Sequence, residues 1–128
     1  MNSEDFVSRI KEVIHDDVVS NLIHYLENPT GRKPHKSIIH LKEYLANLSE
    51  NEKVMLQKVI AHATHSSIFG FLTVLDGVRV IENPSERGEL KLYWEQGDEK
   101  VLLNNSEGQY LHDIYQAEVY SEIFEDET

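Results

Sequence analysis

The stretch ELKLYWEQGDEKVLLN, residues 89–104, decides the fold class of this chain. Apolar and polar residues alternate on both sides of Gly97-Asp98, a pair that favours a two-residue β-hairpin turn. This turn would place opposite charges across from each other and gather the apolar side chains on one face, so the pattern predicts an antiparallel hairpin. The facing pairs would be Glu95 with Lys100, Trp94 with Val101, and Leu92 with Leu103. The apolar face would consist of Leu90, Leu92, Trp94, Val101 and Leu103.

A third strand is predicted just before the hairpin. Residues Val78 to Glu82 also alternate with a period of two, and a segment containing proline and glycine separates them from the hairpin. Together with Glu89 to Gln96 and Glu99 to Asn104, this segment predicts a three-stranded antiparallel β-meander.

The rest of the sequence has the apolar spacing of amphipathic helices. Ser49 and Glu52 form a capping box, which predicts the start of a helix at this point. The apolar run from His65 to Asp76 fits either a buried strand or a buried helix, and its length and the terminator Gly77 favour the helix. The expected helices are about Ser3 to Glu27, a second helix carrying Ile38 to Leu48, Ser49 to about His62, His65 to Asp76, and about Glu107 to Phe124.

These elements predict one α+β domain covering residues 1–128. It would have a helical N-terminal half of about four helices, the β-meander and a C-terminal helix, with the helices packed on one face of the sheet. A chain of 128 residues with 40% hydrophobic residues is long enough to bury a core. The expected core side of the last helix consists of Leu111, Ile114, Tyr115, Val119 and Ile123.

Composition excludes several kinds of chemistry. The chain has no cysteine, so disulfides, thiolate catalysis and Cys-based metal sites are excluded. The first residues, MNSEDFVSRIKEV, lack the basic and apolar regions of a secretory signal, and the most apolar run, Ile68 to Leu75, is too short to span a bilayer. We therefore expect a cytoplasmic protein that does not bind membranes.

Negative charge is concentrated in the second half of the chain. Residues 1–64 carry 8 Lys/Arg and 9 Asp/Glu, whereas residues 65–128 carry 4 and 14, which together give the net charge of −11. An acidic surface attracts positively charged partners and repels nucleic acid, whose phosphates are also negative. We therefore expect a basic protein partner and no nucleic acid. The candidate partner-binding residues are Glu95, Asp98 and Glu99 on the hairpin and Glu118, Glu122 and Glu125 on the last helix.

The first hypothesis for function is a non-enzymatic protein-binding module. In composition, as a small, acidic, cysteine-free α+β chain without a catalytic signature, the protein is similar to bacterial immunity and antitoxin-type proteins. That similarity implies that it masks the basic surface of a partner. No catalytic residue and no cofactor are expected under this hypothesis.

A metal-dependent enzyme is the alternative. His62 and His65 lie three residues apart and would share one face of a continuous helix, and His112 could complete a site for zinc or another divalent ion. The internal glutamate and the four-residue spacing of the zinc-protease helix are absent. His112 and Asp113 could also form an acid–base pair, but consecutive helical residues do not face each other.

A homo-oligomeric structural domain is the third reading. It would be favoured if Leu90 to Trp94 presented an uncovered sheet edge to a second copy.

Overall fold

The computed structural model describes residues 1–124, without the side chain of Pro84, and confirms the α+β class. The described residues form five α-helices and a two-stranded sheet, and a π-helical segment joins the first two helices. The elements are α1 (Ser3–Ile10), the π-helical segment (Lys11–Asp16), α2 (Asp17–Glu27), α3 (Lys36–Ala46), α4 (Glu50–Leu75), a 3-10 turn (Pro84–Glu86), β1 (Tyr93–Gln96), β2 (Glu99–Leu102) and α5 (Leu111–Ile123).

The first helical stretch runs without a break from Ser3 to Glu27, as the sequence predicts. Its N-terminus is capped by Asn2, whose side-chain oxygen accepts a hydrogen bond from the Asp5 amide at 2.8 Å. The π-helical segment ends at Asp16, and α2 begins at Asp17. A π-helical turn rotates the side chains that follow it, because it adds one residue to the turn.

Residues Glu50–Leu75 form one 26-residue helix, whereas the sequence predicts two helices separated near residues 63 and 64. The capping box is confirmed: the Glu52 amide donates to the Ser49 hydroxyl at 3.1 Å, and the Ser49 amide donates to the Glu52 carboxylate at 3.0 Å. Thr64 lies within this helix, and its hydroxyl donates to the Ile60 carbonyl at 2.7 Å. The helix ends at Gly77, which has φ +77°.

The hairpin register is confirmed. Glu95 pairs with Lys100 and Trp94 with Val101, and the Leu103 amide donates to the Leu92 carbonyl at 2.8 Å. The strands are shorter than predicted, because the side chain of Asn104 replaces the backbone at the open end of the ladder. Its amide group donates to the Leu90 carbonyl at 2.8 Å, and its oxygen accepts from the Leu92 amide at 2.8 Å.

The predicted third strand at Val78 to Glu82 is wrong, and the sheet of residues 1–124 has two strands. The amides of Val78 and Arg79 donate to the Thr73 carbonyl, at 2.9 and 3.1 Å. These bonds turn the chain back onto the end of α4, so its backbone does not lie alongside the hairpin.

The core lies where α5 packs against α1 and the second half of α4. The predicted core side of α5 is confirmed, since all five of its residues are buried. Val7 of α1 and Leu72 of α4 complete the cluster. The hairpin is attached to this core through the buried Leu103, whose carbonyl accepts a hydrogen bond from the Ser3 hydroxyl at 2.6 Å.

Candidate functional site

The tip of the hairpin carries the exposed part of the predicted acidic surface. Asp98 and Glu99 are exposed and form no ion pair with any residue of the described chain, 1–124. Glu95 lies 3.5 Å from the ammonium of Lys100 across the two strands, and this ammonium also lies 4.2 Å from the centre of the Tyr93 ring. Among the predicted partner-binding residues, Asp98 and Glu99 are therefore the two that remain available to a partner.

The predicted acidic residues of α5 are engaged within the molecule. Glu118 accepts a hydrogen bond from the Ser8 hydroxyl of α1, and Glu122 lies 3.0 Å from the ammonium of Lys11. These contacts join α5 to the first helical stretch, so neither carboxylate is a free partner-binding group. Glu125, the third predicted residue, lies outside the described residues.

A buried polar pair lies next to these contacts. His15, from the π-helical segment, is 2% exposed, and its Nδ1 lies 2.9 Å from the hydroxyl of the fully buried Tyr115. Burial lowers the pKa of His15 and raises the pKa of Tyr115, since both charged forms lose their hydration. The pair is therefore neutral near pH 7 and shares one hydrogen bond.

Lys11 neutralises the carboxylates at the edge of this pair. Its ammonium lies 3.1 Å from both oxygens of Asp16 and 3.0 Å from Glu122. Burial disfavours the ammonium, but these two partners outweigh that effect and raise the pKa of Lys11. The carboxylates are thus held by a permanent cation supplied by the protein itself.

His15, Asp16 and Glu122 are the one group of three potential metal ligands that the described residues bring within 4.8 Å of one another. A metal ion there would have to compete with the Lys11 ammonium, which already contacts both carboxylates. Sequence reasoning missed this cluster. The available signal was the four-residue spacing of Val7, Lys11 and His15, which places them along one side of a helical stretch.

The three histidines predicted as metal ligands do not form a group of ligand atoms within 4.8 Å of one another among the described residues. His62 is exposed, with its ring edge-on to Phe124 at 5.6 Å. His65 is buried and stacks on Tyr115, with ring centres 5.4 Å apart. Its Nδ1 has no hydrogen-bond partner in the described chain, and burial, followed by the nearby His15 and His62, lowers its pKa.

His112 is held by Asp76, not by its neighbour Asp113. The buried Asp76 carboxylate lies 2.6 Å from His112 Nδ1 and accepts from the amides of Leu111 and His112, at 3.1 and 2.9 Å. Asp76 therefore ends α4 and caps the first turn of α5. Such a contact orients an imidazole, but within residues 1–124 no hydroxyl group is hydrogen-bonded to this ring as a nucleophile would be.

A cavity of about 290 Å³ lies between the end of α4 and the loop of residues 77–90. Arg79 and Arg87 line it, but Asp76, Glu82 and Glu89 line it as well, so it has no consistent charge. A Cβ at Gly70 would lie 2.7 Å from the Arg79 guanidinium, so the Arg79 side chain would have to shift. The cavity has a mixed lining and no converging catalytic groups.

No protein-family model, curated protein or solved structure significantly matches this chain. Within the described residues, none of the helices combines the length and the apolar character that crossing a membrane requires.

Proposed function

We propose that this protein is a non-enzymatic binding domain whose acidic hairpin docks onto a basic surface of a protein partner. The observation that carries the proposal is the exposure of Asp98 and Glu99 at the turn, without an ion pair to any residue of 1–124. A binding role needs groups that are presented to solvent. The other predicted acidic residues of the described chain, Glu118 and Glu122, are instead engaged by Ser8 and Lys11.

The hairpin is suited to presenting these charges. Its base is fixed by Asn104, whose amide group donates to the Leu75 carbonyl at the end of α4 at 2.6 Å. The turn is tight, with Gly97 at φ +59°, a conformation that glycine adopts without strain. A two-stranded hairpin is marginal by itself, so this anchoring keeps the tip in one arrangement and lowers the entropic cost of binding.

The negative charge of the chain supports the proposal that its partner is basic. The net charge is −11, and the acidic excess lies in residues 65–128. Complementary charge accelerates encounter and makes association sensitive to salt. Trp94 is half-buried in β1, three residues before Gly97 of the turn, and supplies an aromatic side chain of the kind that anchors interfaces.

Of the six predicted residues, we propose Glu95, Asp98 and Glu99 on the hairpin as the partner-binding surface. Glu118 and Glu122 are assigned instead to holding α1 and α5 together, because both contact the first helical stretch. The proposal includes the role that composition suggests, namely masking a basic surface as immunity and antitoxin-type proteins do. We further propose that it acts in the cytoplasm.

The experiment compares two variants of equal net charge. Asp98→Lys with Glu99→Lys reverses the tip, and Glu86→Lys with Glu107→Lys makes the same change at two exposed glutamates elsewhere in the acidic half. Each is immobilised and used to capture proteins from the native lysate at ~0.05 M and ~0.5 M salt. We expect the wild type and the Glu86/Glu107 control to retain a basic protein at low salt and the tip variant to lose it.

Two outcomes would overturn the proposal. Equal loss in both variants would show that only total charge matters, and equal retention would show that the tip is not the contact. A captured protein that is acidic or insensitive to salt would also contradict it. Circular dichroism of each variant verifies that the fold is intact.

A further inference from the structure

Many apolar side chains of α2, α3 and the first part of α4 are exposed to solvent. Between residues 17 and 60, which include α2, α3 and the first part of α4, Leu45 is the one buried residue. Several large apolar side chains there are more than half exposed to solvent: Tyr44 55%, Val54 51%, Met55 59% and Val59 61%. Amphipathic helices normally bury their apolar side, so these helices lack a packing layer.

The total accessible surface supports the same conclusion. The chain exposes 9149 Å², whereas a folded monomer of its mass, 14.8 kDa, is expected to expose about 7,000 Å². Residues 125–128 cannot account for the difference, because even a fully extended tetrapeptide exposes only about 700 Å². An excess of roughly 1,500 Å² of accessible surface remains for the chain as a whole. A standard interface buries about 800 Å² on each partner, so this excess is large enough to include one.

The uncovered helices contain both a groove and protruding side chains. α3 and α4 each pack on α2 and leave between them a cavity of about 410 Å³. Its walls are Tyr44, Leu48, Asn51, Glu52, Met55, Leu56 and Val59. We define these seven residues as the α3–α4 groove. Met55 and Val59 lie one helical turn apart and project from the same wall.

We propose that a second copy of this chain covers the α3–α4 groove and forms a two-fold symmetric dimer. A two-fold interface uses the same patch on both subunits, so the patch must offer a groove and the side chains that fill it. The α3–α4 groove offers both, with exposed apolar side chains at Tyr44, Met55 and Val59.

Charge favours this face for self-association. Two copies with net charge −11 repel each other unless they meet through a surface that is not acidic. Residues 36–59 carry four lysines and three glutamates and are therefore nearly neutral. The acidic hairpin is far from the α3–α4 groove, because it is anchored at Leu75, about 30 Å along α4 from Met55.

The dimer goes beyond the proposed function and does not depend on it. If both hold, each dimer presents two acidic hairpins at its outer ends, and a partner with two basic sites would be bound with avidity.

The test measures molar mass by light scattering after size exclusion. At up to ~100 μM, a dimer with a dissociation constant near 1 μM is almost fully formed. We expect twice the chain mass of 14.8 kDa for the wild type. Met55→Glu with Val59→Glu would bury four carboxylates across the two-fold axis, so we expect the dissociation constant to rise at least ~100-fold.

Phe71→Glu is the matched control, because Phe71 lies on the same helix, is 63% exposed and lies outside the α3–α4 groove. We expect this variant to remain a dimer. All substituted positions are exposed, and circular dichroism verifies that each variant folds. The dimer should be at least as stable at ~0.5 M salt as at ~0.05 M, because salt screens the net repulsion.

A wild type that is monomeric at ~100 μM would overturn the proposal. Dissociation by the Phe71 variant but not by the groove variant would also overturn it. A dimer whose dissociation constant rises with salt would contradict an interface at the nearly neutral α3–α4 groove. It would indicate that the acidic half of one copy contacts the basic loop at Arg32 and Lys33 of the other.

Discussion

The Nδ1 atom of His15 lies 2.9 Å from the Tyr115 hydroxyl, although one hundred residues separate them in sequence. Both side chains are buried. The ring of His65 stacks on the Tyr115 ring, with an angle of 14° between the two ring planes. One tyrosine of α5 thus contacts the first helical stretch through its hydroxyl and α4 through its ring. Its replacement tests how these three elements are joined.

Tyr115→Phe is expected to destabilise the fold. It keeps the ring and removes the hydroxyl, which leaves the buried His15 without its partner, a change that costs about 1–3 kcal/mol. Urea unfolding gives the difference in the free energy of unfolding. Tyr120→Phe is the control, because Tyr120 is 46% exposed and should change stability by less than about 0.5 kcal/mol. Equal effects of the two changes would contradict this assignment.

Stability is expected to fall as the pH is lowered through the histidine range. Burial lowers the folded-state pKa values of both His15 and His65. Above about pH 6.5 these residues are neutral in both states, and below it the unfolded chain takes up protons that the folded chain does not. The free energy of unfolding therefore decreases from about pH 6.5 down towards the folded-state pKa values.

The measurement is the urea midpoint between about pH 7.5 and pH 5.5, which stays above the range where exposed carboxylates titrate. His65→Phe keeps an aromatic ring against Tyr115 and Phe69 but cannot be protonated. We expect this variant to show a smaller pH dependence than the wild type. An identical slope in both proteins would show that His65 does not contribute.

Lys11→Met is expected to destabilise by about 1 kcal/mol, because Asp16 and Glu122 would lose their shared cation while remaining about half exposed to solvent. A double-mutant cycle with Glu122→Gln isolates the coupling between α1–α2 and α5. Arg9→Met is the control, since its ion pair with Glu12 is 60% and 67% exposed and should contribute little. Strictly additive effects would show that Lys11 and Glu122 do not interact.

Asp76→Ala is expected to cost at least about 2 kcal/mol. The change removes the acceptor of two α5 amides and of the His112 ring at once, and the carboxylate is 1% exposed. Asp113→Ala is the matched control, since Asp113 is 58% exposed and lies 3.5 Å from the other nitrogen of His112. Thermal unfolding that responds more to the Asp113 change would show that the capping role is assigned to the wrong aspartate.

Several elements could be predicted from the sequence because neighbouring residues determine them. Gly97-Asp98 predicts the turn and therefore the pairing of Glu95 with Lys100, and the capping box predicts the start of α4. The spacing of Leu111, Ile114 and Val119 predicts the buried side of α5. In each case the deciding hydrogen bonds or side-chain spacing lie within a few residues of one another.

Other features could not be predicted from the spacing of side chains. The alternation of Val78 to Glu82 looks like a strand, but the Thr73 carbonyl binds two of its amides. Val59 has the spacing of a core residue, yet it is 61% exposed because no element of the described chain lies against it.

The sequence by itself determined the hairpin with its register, the start of α4, the buried side of α5 and the α+β class, because periodicity and turn chemistry act locally. Only the tertiary structure decided which acidic groups remain free: Glu118 and Glu122 contact Ser8 and Lys11, whereas Asp98 points to no partner among residues 1–124. Only the tertiary structure buried His15 against Tyr115 as well. The reason is that a side-chain period states which residues share a face, but not which distant element that face will meet.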